Sequence, residues 1–160
     1  MNYKKIVKNV MNKTACGDFP MDEQFFKKLL SQEEYLYMFY QSAHWQTKDG
    51  YQDHLLFQRL YEGVQEEIDT IGEKAVGIKE ESQVDLQSRI DNILKWHLIQ
   101  QSNTKQFLEN AIFLEKQFLM LLGQGDKMPF SPGVKNLLGG IADKHESHVY
   151  LLIQNLKSHQ

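Results

Sequence analysis

Apolar residues recur at helical spacing through most of the chain, and this periodicity limits the fold more than any other feature. Leu29, Leu36 and Ala43 stand seven residues apart, which predicts a first helix from about residue 21 to 46. Only three prolines occur in 160 residues, so long uninterrupted helices are possible. No segment has a credible strand pattern. We therefore predict a single all-α domain.

A second helix is predicted over about residues 51–77, and it carries two different faces. Its apolar residues fall within one arc of roughly 80° on a helical wheel, and a polar stripe lies beside that arc. The apolar arc contains Phe57, Leu60, Val64, Ile68, Ile71 and Ala75, and the polar stripe contains His54, Gln58, Glu62, Gln65, Asp69 and Glu73. A stripe in this position meets either bulk water or a second subunit.

The second half of the chain repeats the helical pattern. Patterning resumes near Arg89, and we expect Gly123 and Gly125 to end it. Ser131-Pro132 then predicts the start of a last helix, with serine as N-cap and proline at the first helical position. The sequence thus predicts a four-helix bundle over residues 21–160, with an extra helical segment between the second and third long helices.

Composition narrows the class of protein. Hydrophobic residues make up 41 % and charged residues 24 %, as in globular proteins that dissolve in water. No apolar run approaches the roughly 20 residues of a membrane span, and the first residues lack the apolar core of a signal peptide. The single cysteine, Cys16, excludes an internal disulfide framework. We expect a cytoplasmic protein without membrane contact.

Residues 1–20 are expected to form a flexible, lysine-containing tail ahead of the bundle. Its lysines precede the first acidic residue, Asp18, and they are Lys4, Lys5, Lys8 and Lys13. A basic tail contacts phosphates without sequence specificity, which makes DNA a candidate partner. A frayed terminus without a ligand is the alternative.

Two histidines and two carboxylates form the most informative constellation in the chain. His44 ends the first predicted helix, His54 opens the second, and Asp69 and Glu73 follow four residues apart on that helix. Imidazole and carboxylate ligands together suit Fe(II). Four helical turns separate His54 from Asp69, so they project in related directions. His44 lies across the turn, and a two-fold interface would supply it from a neighbouring subunit.

These residues resemble the Dps miniferritins, which protect DNA during starvation and belong to the ferritin-like superfamily. The resemblance is strongest over residues 35–77, where Ala43-His44-Trp45, Gly50-Tyr51, His54 and Asp69-Thr70-Ile71-Gly72-Glu73-Lys74-Ala75 carry it. It implies that His44 of one subunit faces His54, Asp69 and Glu73 of its two-fold mate. It also implies oxidation of Fe(II) there, usually by hydrogen peroxide, and storage of ferric iron in a hollow twelve-subunit shell.

One position departs from the family pattern. Gln58 stands where the family has a carboxylate one turn after the second histidine, and an amide is a weaker iron ligand. Glu62, one turn further, is a candidate replacement, so both residues join the candidate metal contacts. The alternative is a ferritin-like bundle whose site has decayed and which acts as a structural or interaction module.

A second constellation is predicted inside the bundle. Glu33, Glu115 and His145 occupy the apolar arcs of three different helices, and His148 lies at the edge of the last. Buried charge without a partner is costly, so these side chains are expected to meet. Di-iron proteins of this architecture hold metal there with Glu from two helices and Glu-x-x-His from the other two. Here the last helix offers His145-x-x-His148, which leaves open an in-bundle metal site or a metal-free hydrogen-bonded group.

Overall fold

The computed structural model describes residues 23–48, 50–78, 84–94 and 103–159, and these residues contain five helices. The helices are α1 (Glu23–Gln46), α2 (Tyr51–Ile78), α3 (Leu86–Ile93), α4 (Thr104–Asp126) and α5 (Pro132–Lys157). Helix α1 packs along α2, and α4 packs along α5. Contacts of α1 with α4 join the two pairs, and the short α3 lies against α1. The described ranges contain no strand, in agreement with the predicted helical architecture.

The core lies between the four long helices and follows the predicted faces. All of the apolar arc of α2 is buried except Ile68, which is partly buried against the same core. Burying a side chain such as Phe57 or Leu60 contributes roughly 1.5–3 kcal/mol. Burial of this face fixes the rotation of α2 about its axis. The polar stripe beside it, which contains His54, Asp69 and Glu73, therefore faces outward.

Side-chain caps begin the later helices. The predicted N-cap is confirmed, because Ser131 Oγ accepts a hydrogen bond from the Val134 main-chain N–H. Asn103 caps α4 in the same manner through Gln106, and no proline is needed there.

The predicted end of the third long helix is wrong. Helix α4 continues through Gly123 and Gly125 to Asp126, and neither glycine has a positive φ. Gly125 is buried, and a Cβ atom there would lie 2.8 Å from Leu138 Cδ1 and closer still to Phe25 Cζ. The glycine therefore serves close helix packing and does not break the helix.

Gly125→Ala is expected to lower the free energy of unfolding by about 1–3 kcal/mol, because the added methyl group overpacks the contact with Phe25 and Leu138. Gly123→Ala is the matched control: that glycine is exposed with nothing within 4 Å of its Cβ position. The control should be neutral or stabilising by up to about 1 kcal/mol, since alanine favours helix. Urea unfolding measures both variants, and equal effects would contradict a packing role for Gly125.

Two further sequence predictions concern the N-terminal tail and membrane contact. The predicted tail, residues 1–20 with Lys4, Lys5, Lys8 and Lys13, lies outside the described residues, so its contact with DNA stays a prediction. Among the described helices, none combines the length and the apolarity that crossing a membrane requires.

Candidate metal sites

The two histidines of the α1–α2 turn lie against each other within one chain. His44 is in the last turn of α1 and His54 in the first turn of α2, and the connection between the helices is short. Their ring centroids are 3.8 Å apart and the ring planes differ by 26°. Both side chains are partly buried. The turn therefore delivers a preformed pair of imidazoles.

Reciprocal hydrogen bonds fix the tautomer of both rings. His44 Nδ1 lies 2.9 Å from the His54 carbonyl oxygen, and His54 Nδ1 lies 3.0 Å from the His44 carbonyl oxygen. A carbonyl oxygen only accepts, so Nδ1 carries the proton in each ring and donates it. In the neutral rings both Nε2 atoms then keep a lone pair. This is how a main-chain carbonyl orients a metal-binding histidine.

Asp69 and Glu73 lie at a different place on the surface. Fifteen residues at 1.5 Å per residue put Asp69 about 22 Å from His54 along α2. Both carboxylates are exposed and line an open cavity of about 450 Å³ that Val76 and Arg89 also border. They are thus neighbours of each other and remote from the histidines of their own chain.

The expected division of ligands between subunits is corrected by these positions. His44 and His54 come from the same chain, whereas His54 and Asp69 of one chain are too far apart to share an ion. A shared direction on a helix does not make two residues neighbours, because the rise along the axis separates them. One site with all four ligands needs both histidines from one subunit and both carboxylates, Asp69 and Glu73, from another.

Gln58 and Glu62 occupy the stretch of α2 between the histidines and the carboxylates. Gln58 Nε2 donates a hydrogen bond of 2.9 Å to Glu62 Oε1. The amide at Gln58 is therefore held in place by the neighbouring acid. Metal contact by either residue stays a prediction.

A second cluster lies inside the bundle and draws one side chain from each long helix. Its members are fully or almost fully buried, and they are Glu33 of α1, Glu67 of α2, Glu115 of α4 and His145 of α5. His145 is central: Nδ1 lies 2.5 Å from Glu115 Oε2, and Nε2 lies 3.0 Å from Glu67 Oε2. Nε2 is also 3.4 Å from Glu33 Oε1. The structure brings together the residues expected to meet here, while their binding of metal stays a prediction.

Glu115 accepts three hydrogen bonds. Its Oε1 accepts from the Tyr40 hydroxyl and from His148 Nδ1 at 3.1 Å, while Oε2 accepts from His145. Burial opposes ionisation of Glu115, but the hydrogen bonds from His145 and His148 outweigh it and lower its pKa to about 2. The carboxylate is therefore ionised and committed to these donors.

Glu33 is in the opposite situation. The side chain is fully buried, and neither carboxylate oxygen has a hydrogen-bond partner. Burial raises the pKa of Glu33 to about 7, although the neighbouring His145 acts to lower it. Burial alone would lower the pKa of His145, but the charge of Glu33 and the hydrogen bond to Glu115 raise it well above the ordinary value. In the absence of a metal ion, His145 is thus a cation among carboxylates.

Sequence reasoning missed Glu67, a member of this cluster, and Tyr40, which donates a hydrogen bond to Glu115. Glu67 falls roughly 20° outside the apolar arc of α2, on the side away from the polar stripe. An acid on the inner flank of a buried arc is the signal that would have found it. Tyr40 has the pattern of an ordinary core aromatic, and nothing in the sequence reveals its bond to Glu115.

A hydrogen-bonded group around the buried Asp53, which the sequence did not reveal, connects the start of α2 to the end of α5. It lies next to His54. Asp53 Oδ1 accepts hydrogen bonds from Asn155 Nδ2 at 2.5 Å and from His159 Nε2 at 3.0 Å. Gln52 donates to Asn155 Oδ1 at 3.0 Å. The opening turn of α2 is thereby tied to the end of α5.

Comparison with solved structures finds a close match in fold. The X-ray structure of Dps from Thermosynechococcus elongatus superposes with a TM-score of 0.75 over 94 % of this chain and 94 % of that chain, at 18 % identity. No protein-family model and no curated protein sequence matches the chain. The chain therefore has a Dps-like, ferritin-like fold, which confirms the predicted fold class and the resemblance at the level of fold.

Proposed function

We propose that this chain, with its Dps-like fold, binds and oxidises Fe(II) at sites shared by two subunits and stores ferric iron inside a homo-oligomeric shell. His44 and His54 of one subunit and Asp69 and Glu73 of its two-fold mate would form each site. The observation that carries the proposal is the histidine pair, whose Nδ1 atoms bond to main-chain carbonyls. This arrangement leaves two Nε2 atoms suited to a metal ion.

The proposed ligands suit iron as substrate and product. Two carboxylates compensate the charge of Fe(II) and stabilise Fe(III) more strongly, while imidazoles bind iron in either oxidation state. Two Fe(II) ions supply two electrons and the solvent supplies two protons, so that one hydrogen peroxide becomes two water molecules and no hydroxyl radical is released. An activity of this kind would protect the cell against peroxide damage.

A two-fold arrangement of α2 helices meets the distance requirement. If two copies of α2 cross antiparallel, His54 of one lies opposite Asp69 of the other when the axis passes midway between them, near Tyr61 and Glu62. The cavity of about 450 Å³ that Asp69 and Glu73 line is open to solvent and large enough to admit the imidazole edges of a mate. Each dimer would then contain two equivalent sites.

Exposed apolar side chains support association near these residues. Leu86 and Ile90 of α3 and Leu94, which directly follows it, are spaced four apart and are exposed. Helix α3 also supplies Arg89 to the cavity that holds Asp69 and Glu73. Trp45, next to His44, is exposed as well. Exposed apolar side chains thus lie near both the carboxylate half and the histidine half of the proposed site, as expected of surface that a partner covers.

The wider assembly follows from the same proposal. The dimers would build a hollow shell of twelve subunits in the cytoplasm, and Lys4, Lys5, Lys8 and Lys13 of the tail would contact DNA on its outside. Deleting residues 1–20 separates the two roles, because a gel shift at low salt should vanish while iron oxidation persists.

Anaerobic Fe(II) addition followed by hydrogen peroxide tests the proposal. The wild type is expected to develop ferric absorbance. Light scattering should show that it is a particle of many subunits. Asp69→Asn with Glu73→Gln should slow the reaction by at least on the order of 10-fold to 100-fold. The control is Glu109→Gln, which alters an exposed acid on α4, a helix that does not border the cavity of Asp69 and Glu73. Wild-type rates in the double variant would contradict the proposal, and no absorbance in the wild type would favour a structural module.

A further inference from the structure

We propose that the end of α5 positions the two imidazoles of the surface site through a C-terminal clamp, which consists of Asp53, Asn155 and His159. These three are positioning residues, since they hold other residues in place and would not contact iron. The proposal rests on the proposed iron site and adds a third helix to it. Helices α1 and α2 supply the histidines, and the end of α5 holds them.

Asp53 is the centre of the clamp. Its side chain is buried, and Oδ1 accepts hydrogen bonds from Asn155 Nδ2 at 2.5 Å and from His159 Nε2 at 3.0 Å. Hydrogen bonds to an ionised carboxylate are roughly twice as strong as those between neutral groups. Asn155 is buried as well, and its Oδ1 accepts a bond of 3.0 Å from Gln52 Nε2. Two consecutive residues of α2 are thus fixed from the end of α5.

The first turn of α2 is a place where support from another helix matters. The first four N–H groups of a helix have no partner within it, so helix ends fray. Gly50, which directly precedes α2, accepts a hydrogen bond of 3.3 Å from the His54 main-chain N–H. A Cβ atom at Gly50 would lie 3.4 Å from Asp53 Oδ2, so the carboxylate also lies against the connection between α1 and α2. The clamp therefore holds the turn from which His54 projects.

His54 transmits this constraint to His44. The peptide group between Asp53 and His54 is planar, so holding Asp53 limits where the main chain of His54 lies. The His54 carbonyl oxygen accepts the bond from His44 Nδ1 at 2.9 Å, and His54 Nδ1 donates to the His44 carbonyl oxygen at 3.0 Å. A displacement of this one turn would thus alter the orientation of both rings and the position of both Nε2 atoms.

A metal site tolerates little displacement of its ligands. Ligand groups must be held within about 0.5 Å of the productive geometry. Loss of the residues that orient metal ligands typically lowers metal affinity about 10-fold to 100-fold. The two rings are stacked with their centroids 3.8 Å apart, and a shift of the first turn of α2 changes this separation directly. We therefore expect metal affinity at the histidine pair to depend on Asn155 and His159, which follow Asp53 by 102 and 106 positions.

Anaerobic titration of the full chain with Co(II) alone tests the clamp. Binding at the surface site is the part of the Co(II) d–d absorption that His44→Ala with His54→Ala abolishes. His159→Ala removes a donor to Asp53 whose side chain is 21 % exposed, so the variant should fold. We expect it to weaken this binding by at least on the order of 10-fold. His159→Gln should restore the affinity, because its amide carries an N–H donor. Lys157→Ala, at an exposed position near the same end, is the control and should bind as the wild type does.

Urea unfolding with chelator present separates positioning from a purely structural role. A bond that only stabilises the fold would lower the free energy of unfolding of His159→Ala and leave the Co(II) affinity and the d–d spectrum unchanged. That outcome would overturn the proposal. If His159→Ala fails to fold, Gln52→Ala takes its place, because Gln52 is exposed and supports the clamp through Asn155. This variant should weaken Co(II) binding about 2-fold to 10-fold, and an unchanged affinity would likewise reject the clamp.

Crystal structures of metal-free protein distinguish a wrong clamp from a wrong iron site. If the wild type binds no Co(II) through His44 and His54, the proposed iron site fails, and the clamp is judged on the geometry of the two rings alone. In His159→Ala we expect the distance between the ring centroids to depart from 3.8 Å and at least one bond from Nδ1 to a carbonyl oxygen to be lost. Rings that keep their positions in this variant would contradict the clamp, whether or not the wild type binds Co(II).

Discussion

Mixing two inactive variants is expected to restore iron oxidation. Subunits with His44→Ala and His54→Ala lack the nitrogen half of the proposed site, and subunits with Asp69→Asn and Glu73→Gln lack the carboxylate half. Each variant alone should lose at least on the order of 10-fold to 100-fold in rate. The reason is that a site requires the histidines of one subunit and the acids of its mate.

Recovery follows from two-fold symmetry. In a mixed dimer one site loses both halves and the other keeps both. Random mixing makes half of the dimers mixed, so about a quarter of the wild-type sites should return. The variants are co-expressed with different affinity tags, and the doubly purified particles are assayed with Fe(II) and peroxide.

Controls distinguish sites shared between subunits from sites within one chain. Each variant co-expressed with a differently tagged copy of itself should stay inactive. If His44, His54, Asp69 and Glu73 acted within one chain, no mixed particle would recover, and that outcome would contradict the shared site. The distance of about 22 Å between His54 and Asp69 along α2 already argues against sites within a single chain.

Replacing Glu115 is expected to produce the largest loss of stability. Glu115→Leu leaves the Tyr40 hydroxyl, His148 Nδ1 and His145 Nδ1 without their acceptor in a buried place. Breaking a buried, paired charge in this way costs about 3–5 kcal/mol. Urea unfolding with chelator present measures the loss, and Glu109→Leu, an exposed acid on the same helix, is the matched control.

The same variant should change how stability depends on pH. Because the pKa of Glu115 is lowered from 4.5 to about 2, its ionised form stabilises the folded state above pH 4.5. That stabilisation, on the order of 3 kcal/mol, is lost as the pH falls from 4.5 to about 2. The difference between wild type and Glu115→Leu should therefore shrink over this interval. A difference that does not change with pH would contradict the lowered pKa.

The fold could be predicted from the sequence because its signals are local. The apolar arc of α2 and the capping serine at Ser131 depend on neighbours in the chain, and both are correct. The end of α4 could not be predicted, because Gly125 is present for close contact with Phe25, a residue distant in sequence. Glycine indicates a helix stop only when no other element needs the space.

The candidate sites were only partly predictable, for a related reason. Residue types identified His44 and His54, but the stacking of their rings depends on the geometry of one short turn. Glu67 lies on the flank of the apolar arc of α2, and its burial can be recognised only when α1, α4 and α5 are in place around it. Partners contributed by other helices, like Tyr40 for Glu115, cannot be seen in a single helical pattern.

The hydrogen bonds of Asp53 link regions that are far apart in the sequence. Asn155 and His159 hold this carboxylate from the end of α5, and the next residue along α2 is His54. We expect an affinity tag or fusion partner attached directly after α5 to disturb these hydrogen bonds of Asp53. The position of the His54 imidazole in the surface site would change with them. Tags for kinetic work on this protein are better placed before α1.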